Sequence, residues 1–222
     1  MLQLFRLPPL VYFVLAPVLL VLGVVLFFYE MNRDSERAAA LSHDPPKPTL
    51  VQALKSDDSG SDFNEIVIKG QADVASMVEL SKTKNARTVG TDLYIPLYPT
   101  DAKDFTGPVT AVLEIRGNAT DEQIEAMIES EGPAGPVLVA NGVLHDGKST
   151  DAREALDGRK TLAGDYYAVQ PFMKGRAEGL KAGDMGSTWL LAGLVLAAVL
   201  GGYGFLRKRQ LEAAQRRQYD PY

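Results

Sequence analysis

The chain has 222 residues, enough for one domain with additions or two small domains, and is mildly acidic, with 23 Lys and Arg against 28 Asp and Glu. It contains no cysteine, which excludes disulfides, thiolate zinc sites, iron–sulfur clusters, attached c-type haem and cysteine nucleophiles, and it has two histidines, His43 and His145. Most of its unbroken apolar sequence falls in residues 10–29 and 189–206, and neither block holds an Asp, Glu, Lys, Arg or His.

In chain order, residues 1–9 form a short segment with one base, Arg6. A helix rises about 1.5 Å per residue, so a hydrocarbon core of about 30 Å needs roughly 20 apolar positions. Residues 10–29 supply that length and read as a first transmembrane helix, with Pro17 expected to kink it. The block ends in Phe27-Phe28-Tyr29 and runs into Glu30, with the nearest small-residue triplet at Ala38-Ala39-Ala40, so it reads as an uncleaved anchor and not a signal peptide. Residues 30–63 start charged and turn rich in Pro, Ser and Asp, which predicts a stalk. Asp57, Asp58, Asp62 and Glu65 do not have the spacing of a calcium loop.

Residues 64–172 carry the folded pattern. Glu65-Ile66-Val67-Ile68-Lys69 alternates and predicts a strand ended by Gly70. Val74, Met77 and Val78 give helical spacing over 72–81. Residues 91–98 and 109–116 read as strands, the first at an edge or ending there because of Pro96 and Pro99. Thr120-Asp121-Glu122-Gln123 is a capping box opening a helix whose apolar face is Ile124, Met127 and Ile128. A strand over 137–144, a short helix over 151–156 and a strand over 165–172 complete a β-α-β-β-α-β-(α)-β order. That order predicts a small α+β sandwich between two transmembrane helices, with a ferredoxin-like sheet covered by helices on one face as one candidate.

Residues 173–187 read as a linker, and residues 188–206 as a second transmembrane helix. In it Gly193, Ala197 and Gly201 repeat at intervals of four, and Ala198 and Gly202 repeat the interval one residue over. Small residues on one helix face let another backbone approach closely, so this is a packing face for the first span or for another membrane subunit. Residues 207–222 form a basic tail led by Arg207, Lys208 and Arg209, which sets a cytoplasmic C-terminus and offers contact to anionic lipid. Two spans then place the N-terminus on the same side and the central domain across the membrane, periplasmic in a bacterial inner membrane. With residues 1–29 at +1, residues 188–222 at +3 and the whole chain at −5, residues 30–187 carry −9. That balance argues against nucleic acid as a partner.

Catalytic constellations are thin. Ser81-Lys82-Thr83-Lys84 has the spacing of serine acyl-enzymes without their companion motifs. His145-Asp146-Gly147 reads as a turn, Glu122, Glu125, Glu129 and Glu131 as a solvated face, and Asn118-Ala119-Thr120 as a sequon whose Thr serves as a helix cap. The sequence therefore predicts no catalytic site, no metal site and no cofactor.

A resemblance adds to this reading. Two spans around a modest extracytoplasmic domain and a basic tail, with Val67-Ile68-Lys69-Gly70, Gly90-Thr91-Asp92-Leu93-Tyr94-Ile95-Pro96-Leu97 and Val112-Leu113-Glu114-Ile115-Arg116-Gly117 in succession, resemble the surfeit-locus family of assembly factors for haem-copper cytochrome oxidase. Leu22-Gly23 fits it too. Where that family has a histidine at the mouth of its second span, this chain has Met185-Gly186-Ser187-Thr188. The resemblance implies a scaffold role in oxidase assembly without haem contact.

The expectation is a non-enzymatic two-pass accessory or assembly subunit whose partners are the membrane and integral-membrane proteins. The competing expectation is a tethered ligand-binding domain with a pocket of Tyr94, Tyr98, Tyr166, Tyr167 and Phe172.

Overall fold

The computed structural model describes residues 8–54, 63–84, 87–117, 119–147, 151–183 and 185–219. The chain divides into two units, Met1–Ser35 with Ala182–Tyr222, and Glu36–Lys181. The acids Asp57, Asp58 and Asp62 and the sequon residue Asn118 lie outside the described residues.

The first unit is built from α5 (Met185–Tyr219) and most of α1 (Pro9–Leu41), whose residues 36–41 fall in the second unit. Each contains a stretch long and apolar enough to cross a membrane by length and composition. Both outlast their apolar blocks. α1 continues through the charged residues expected to begin the stalk, because Ala38, Ala39 and Ala40 are strong helix formers. It stops where the Ser42 hydroxyl donates back to the Ala39 carbonyl at 2.7 Å, just before Pro45 and Pro46. α5 likewise carries the expected basic tail as helix, with Lys208 3.9 Å from Glu212 one turn on.

The second unit holds strands β1 (Thr49–Leu50), β2 (Glu65–Ala72), β3 (Val78–Lys84), β4 (Arg87–Tyr98), β5 (Val109–Ile115), β6 (Ile128–Glu131), β7 (Pro136–Asp146) and β8 (Leu162–Pro171). Between them lie the short helices α2 (Asp121–Glu125), α3 (Ala152–Leu156) and α4 (Arg176–Gly179). The pairings run β2–β4–β5–β8–β7, and β7 returns to β2, so five strands close a ring. All of its pairs are antiparallel except β5–β8. This is a small Greek-key barrel of the OB type. It corrects the expectation of a sheet covered by helices on one face. Helices of four or five residues are too short to cover a whole sheet face, so the sheet buries its inner face by curling on itself.

Alternation along each strand sorts the side chains. Ile66, Ile68, Leu93, Ile95, Leu97, Leu113, Ile115, Leu138, Leu144 and Val169 fill the barrel. A 3₁₀ turn at Val51–Ala53 plugs one end: Val51 is buried, and a Cβ on Gly70 would collide with its Cγ2. The strand expected to end at Gly70 therefore runs through it to Ala72, because glycine is what the plug requires there.

Two other elements depart from expectation. The helical spacing over 72–81 resolves into a 3₁₀ turn, Val74–Ser76, capped by Asp73, followed by β3, because pairing with β4 from Val78↔Tyr94 to Lys84↔Arg87 outweighs local periodicity. The Thr120 capping box forms as expected, but α2 ends at Glu125 and Ile128 starts β6 opposite Leu138. Pro96 lies in mid-strand, paired with Val112 of β5. On its other edge β4 changes partner from β3 to β2 between Tyr94 and Leu97, and there the missing N–H breaks no ladder.

Candidate functional site

The helix pair of the first unit is the first candidate surface. A Cβ added to Gly193 would lie 3.0 Å from the Gly23 Cα and 3.1 Å from the Leu19 carbonyl, so the two backbones touch at these glycines. Towards the C-terminus of α5, Gly201 faces the Ala16 Cβ at 3.9 Å, and Gly204 faces the Tyr12 Cβ at 2.9 Å. Towards its N-terminus, Gly186 meets Phe27 and Glu30. Tyr12 is buried and packs edge-on against Tyr203 with ring centroids 5.1 Å apart. Ala197 is half-buried on the same face as Gly193 and Gly201, whereas Ala198 is exposed and Gly202 has no atom within 4 Å of an added Cβ. Lys208 and Arg209 are exposed and Arg207 is half-buried, with the Arg209 guanidinium 4.8 Å above the Phe205 ring. Sequence reasoning missed Gly23, Gly186 and Gly204. For Gly186 and Gly204 the signal was the spacing Gly186, Gly193, Ala197, Gly201, Gly204, which keeps one helix face.

The second candidate surface is the outer face of β4, β5 and β8. Tyr94, Tyr98, Val112 and Tyr166 form a second apolar cluster there, roofed by Ala152, Ala155 and Leu156 of α3. Three of the five aromatics expected to line a pocket are thus buried beneath the chain's own helix. Tyr167 packs towards the barrel interior, and Phe172 packs against Gly179 of α4. The Tyr166 hydroxyl donates to the Gly147 carbonyl at 2.6 Å, and Tyr98 donates to Phe105 O at 3.2 Å. Tyr94 differs: its hydroxyl is buried with no hydrogen-bond partner among the described residues. Burial, then the Glu114, Asp151 and Asp92 carboxylates, push that hydroxyl well above the ordinary tyrosine range. Glu114, directly opposite Tyr94, takes Arg116 Nε at 2.8 Å on Oε1, and its buried Oε2 has no hydrogen bond among the described residues. Asp92 is paired with Lys82 and accepts from Gly117 N–H at 3.1 Å.

Three polar side chains tie loops and strands together. Gln71 is fully buried and uses its whole amide, donating to Pro99 O and Ala102 O at 2.9 Å each and accepting from Ala134 N–H and Gly135 N–H. Asp73 accepts from Ser76 N–H and pairs with Lys160 at 2.7 Å, while Lys160 donates to Phe105 O at 2.7 Å beneath the Tyr98 ring. Burial drives the Asp73 carboxyl upward, but the Lys160 and Ser76 hydrogen bonds outweigh it and hold the group below the usual aspartate range. Glu65, 1 % exposed, accepts from Arg176 Nε at 2.7 Å and Asn141 Nδ2 at 3.0 Å, and Arg176 Nη2 also donates to Ala40 O at 2.6 Å.

The remaining sequence candidates are dispersed. Ser81 is exposed on β3, and Glu122, Glu125, Glu129 and Glu131 are solvent-facing, Glu129 paired with Lys69. His145 and Asp146 belong to β7, not to a turn, since pairing with Ala168 and Tyr167 carries the strand past Leu144. Among the described residues no group of three or more His, Asp and Glu side chains is placed to hold a metal ion. A cleft of about 400 Å³ opens beside α3, lined by Arg153, Asp157, Gly158, Arg159, Lys160, Thr161 and Leu162. No protein-family model matches the chain, and no curated protein is significantly similar to it.

Proposed function

We propose that the chain is a two-pass membrane protein with both termini cytoplasmic. Its extracytoplasmic, periplasmic barrel serves a non-enzymatic role, as an accessory or assembly subunit of a larger membrane complex. The observation that carries this reading is the division of labour on α5. One face, Gly193 to Gly204, is used up against α1, while Ala198, Gly202, Leu191, Leu194, Val195 and Val199 stay uncovered. That second face, with small residues one turn apart, suits a neighbouring membrane helix. Attachment at both ends keeps the barrel near such a neighbour and raises its effective concentration there. The roof that α3 places over Tyr94, Tyr98 and Tyr166 favours this reading over a ligand pocket on that face. The surfeit-locus resemblance makes a respiratory oxidase the complex to look for first.

The test is a pull-down of the tagged full chain from native membranes in gentle detergent, resolved on a native gel with haem staining and mass spectrometry. A stoichiometric high-mass complex is expected, and oxidase subunits within it would extend the reading to oxidase assembly. A lone monomer or homodimer would overturn it.

A further inference from the structure

The region between the helices is acidic, and several of its described cations sit beside an acid: Lys69 with Glu129, Lys82 with Asp92, Arg116 with Glu114, Lys160 with Asp73 and Arg176 with Glu65. Arg153 and Arg159 are exposed, have no carboxylate within ion-pair distance among the described residues, and both line the cleft of about 400 Å³ beside α3. Two such arginines thus meet in one concavity of a region with net charge −9.

The cleft is held in shape from behind. Lys160 is fixed by Asp73, the Phe105 carbonyl and the Tyr98 ring. Arg153 lies over the Tyr166 ring at 5.6 Å, and Tyr166 is pinned through its hydroxyl to Gly147 O. A stacked guanidinium keeps its edge free to donate, and its planar fork matches an oxyanion. Gly158 turns the chain with φ +71, a left-handed conformation that suits glycine, and Arg159, which follows it, also lines the cleft. Because Asp73 already matches Lys160, the lining is left with two free guanidinium charges against the single carboxylate of Asp157. That carboxylate can accept from a hydroxyl carried beside the anion.

We propose that this cleft is a binding site for a phosphate-bearing small molecule or headgroup, gripped by Arg153 and Arg159, with the Thr161 hydroxyl as a further donor and Asp157 receiving an adjacent hydroxyl. It is independent of the assembly reading, since it uses neither helix face.

The experiment uses the full chain in phosphatidylcholine nanodiscs, titrated calorimetrically with inorganic phosphate and with glycerol 3-phosphate. The titration is repeated with Arg153→Gln, Arg159→Gln and the double variant, all of which alter exposed side chains. Saturable binding is expected, weakened about tenfold by either single change, as for loss of one charge-assisted contact, and abolished in the double variant. Glycerol 3-phosphate binding more tightly than phosphate would assign the hydroxyl to Asp157. Repeating the titration in phosphatidylglycerol nanodiscs separates the sources: loss of the soluble-ligand signal there identifies a lipid headgroup, and its persistence identifies a free metabolite. Absence of saturable binding in both kinds of nanodisc, or equal binding by the wild type and the double variant, would overturn the proposal.

Discussion

Three tyrosines share one cluster under α3 and differ in one atom's surroundings, so they separate apolar packing from hydrogen bonding. Tyr166 has a 2.6 Å bond to Gly147 O, while the Tyr94 hydroxyl is equally buried and has no partner among the described residues. An ordinary buried hydrogen bond contributes about 1 kcal/mol net, and an unsatisfied buried hydroxyl costs about 1–3 kcal/mol. Tyr166→Phe should therefore destabilise the full chain by about 1 kcal/mol, whereas Tyr94→Phe should leave it unchanged or raise its stability by a similar amount. Urea unfolding in mild detergent, followed by near-ultraviolet circular dichroism, measures both. A loss at Tyr94 matching that at Tyr166 would mean that its hydroxyl has a bound partner. Such a partner would mark the Tyr94–Glu114 pair as a polar site in its own right.

At the scale of elements, α1 and α5 make the strongest geometric claim. The chain has no cysteine, so engineered pairs report without background. The 3.9 Å between the Ala16 Cβ and a Cβ built on Gly201 falls inside the roughly 3.5–4.5 Å that a disulfide needs. Ala16→Cys with Gly201→Cys should form an intramolecular disulfide on mild oxidation in membranes, read as a gain in gel mobility reversed by reductant. Ala16→Cys with Gly202→Cys should not, because Gly202 points away from α1. Equal cross-linking by both pairs would mean that α5 rotates freely against α1.

These helices were legible in the sequence because each contains an unbroken run of apolar residues, and a run needs no partner to be seen. The strands were legible wherever inside and outside alternate, as in Glu65-Ile66-Val67-Ile68-Lys69. The ring was not. It closes by pairing Glu65–Gln71 with residues 137–143, and nothing in the alternation of one strand names a partner so distant in the chain. The apparent helix over 72–81 failed for the same reason, since β3 owes its existence to β4. Arg153 and Arg159 were invisible because two arginines six positions apart form no motif until Gly158 turns the chain between them.

At the scale of the whole molecule, the barrel's attachment to its flanking segments converges on one guanidinium. Arg176, at the start of α4, bonds Glu65 at the start of β2 and the carbonyl of Ala40 in the last turn of α1, and Glu65 also holds Asn141 of β7. The segment entering the barrel and the segment leaving it are thus joined through the Arg176 guanidinium, which also bonds the buried Glu65 carboxylate, inside the Glu36–Lys181 unit. Burying such a pair costs desolvation, so its value to the fold is exposed by removing one partner at a time. Arg176→Met should cost about 3–5 kcal/mol, because it removes the Arg176 guanidinium from the buried Glu65 carboxylate. Adding Glu65→Gln to Arg176→Met should recover part of that loss, giving a coupling of about 1–3 kcal/mol in a double-mutant cycle of unfolding free energies. The cycle also reads the attachment itself. If Arg176 holds the end of α1 to the barrel, protease cleavage within residues 36–48 should rise in Arg176→Met and stay high in the double variant, since neither restores the bond to Ala40 O. Additive single costs with unchanged cleavage would show that the two segments are held by apolar packing alone.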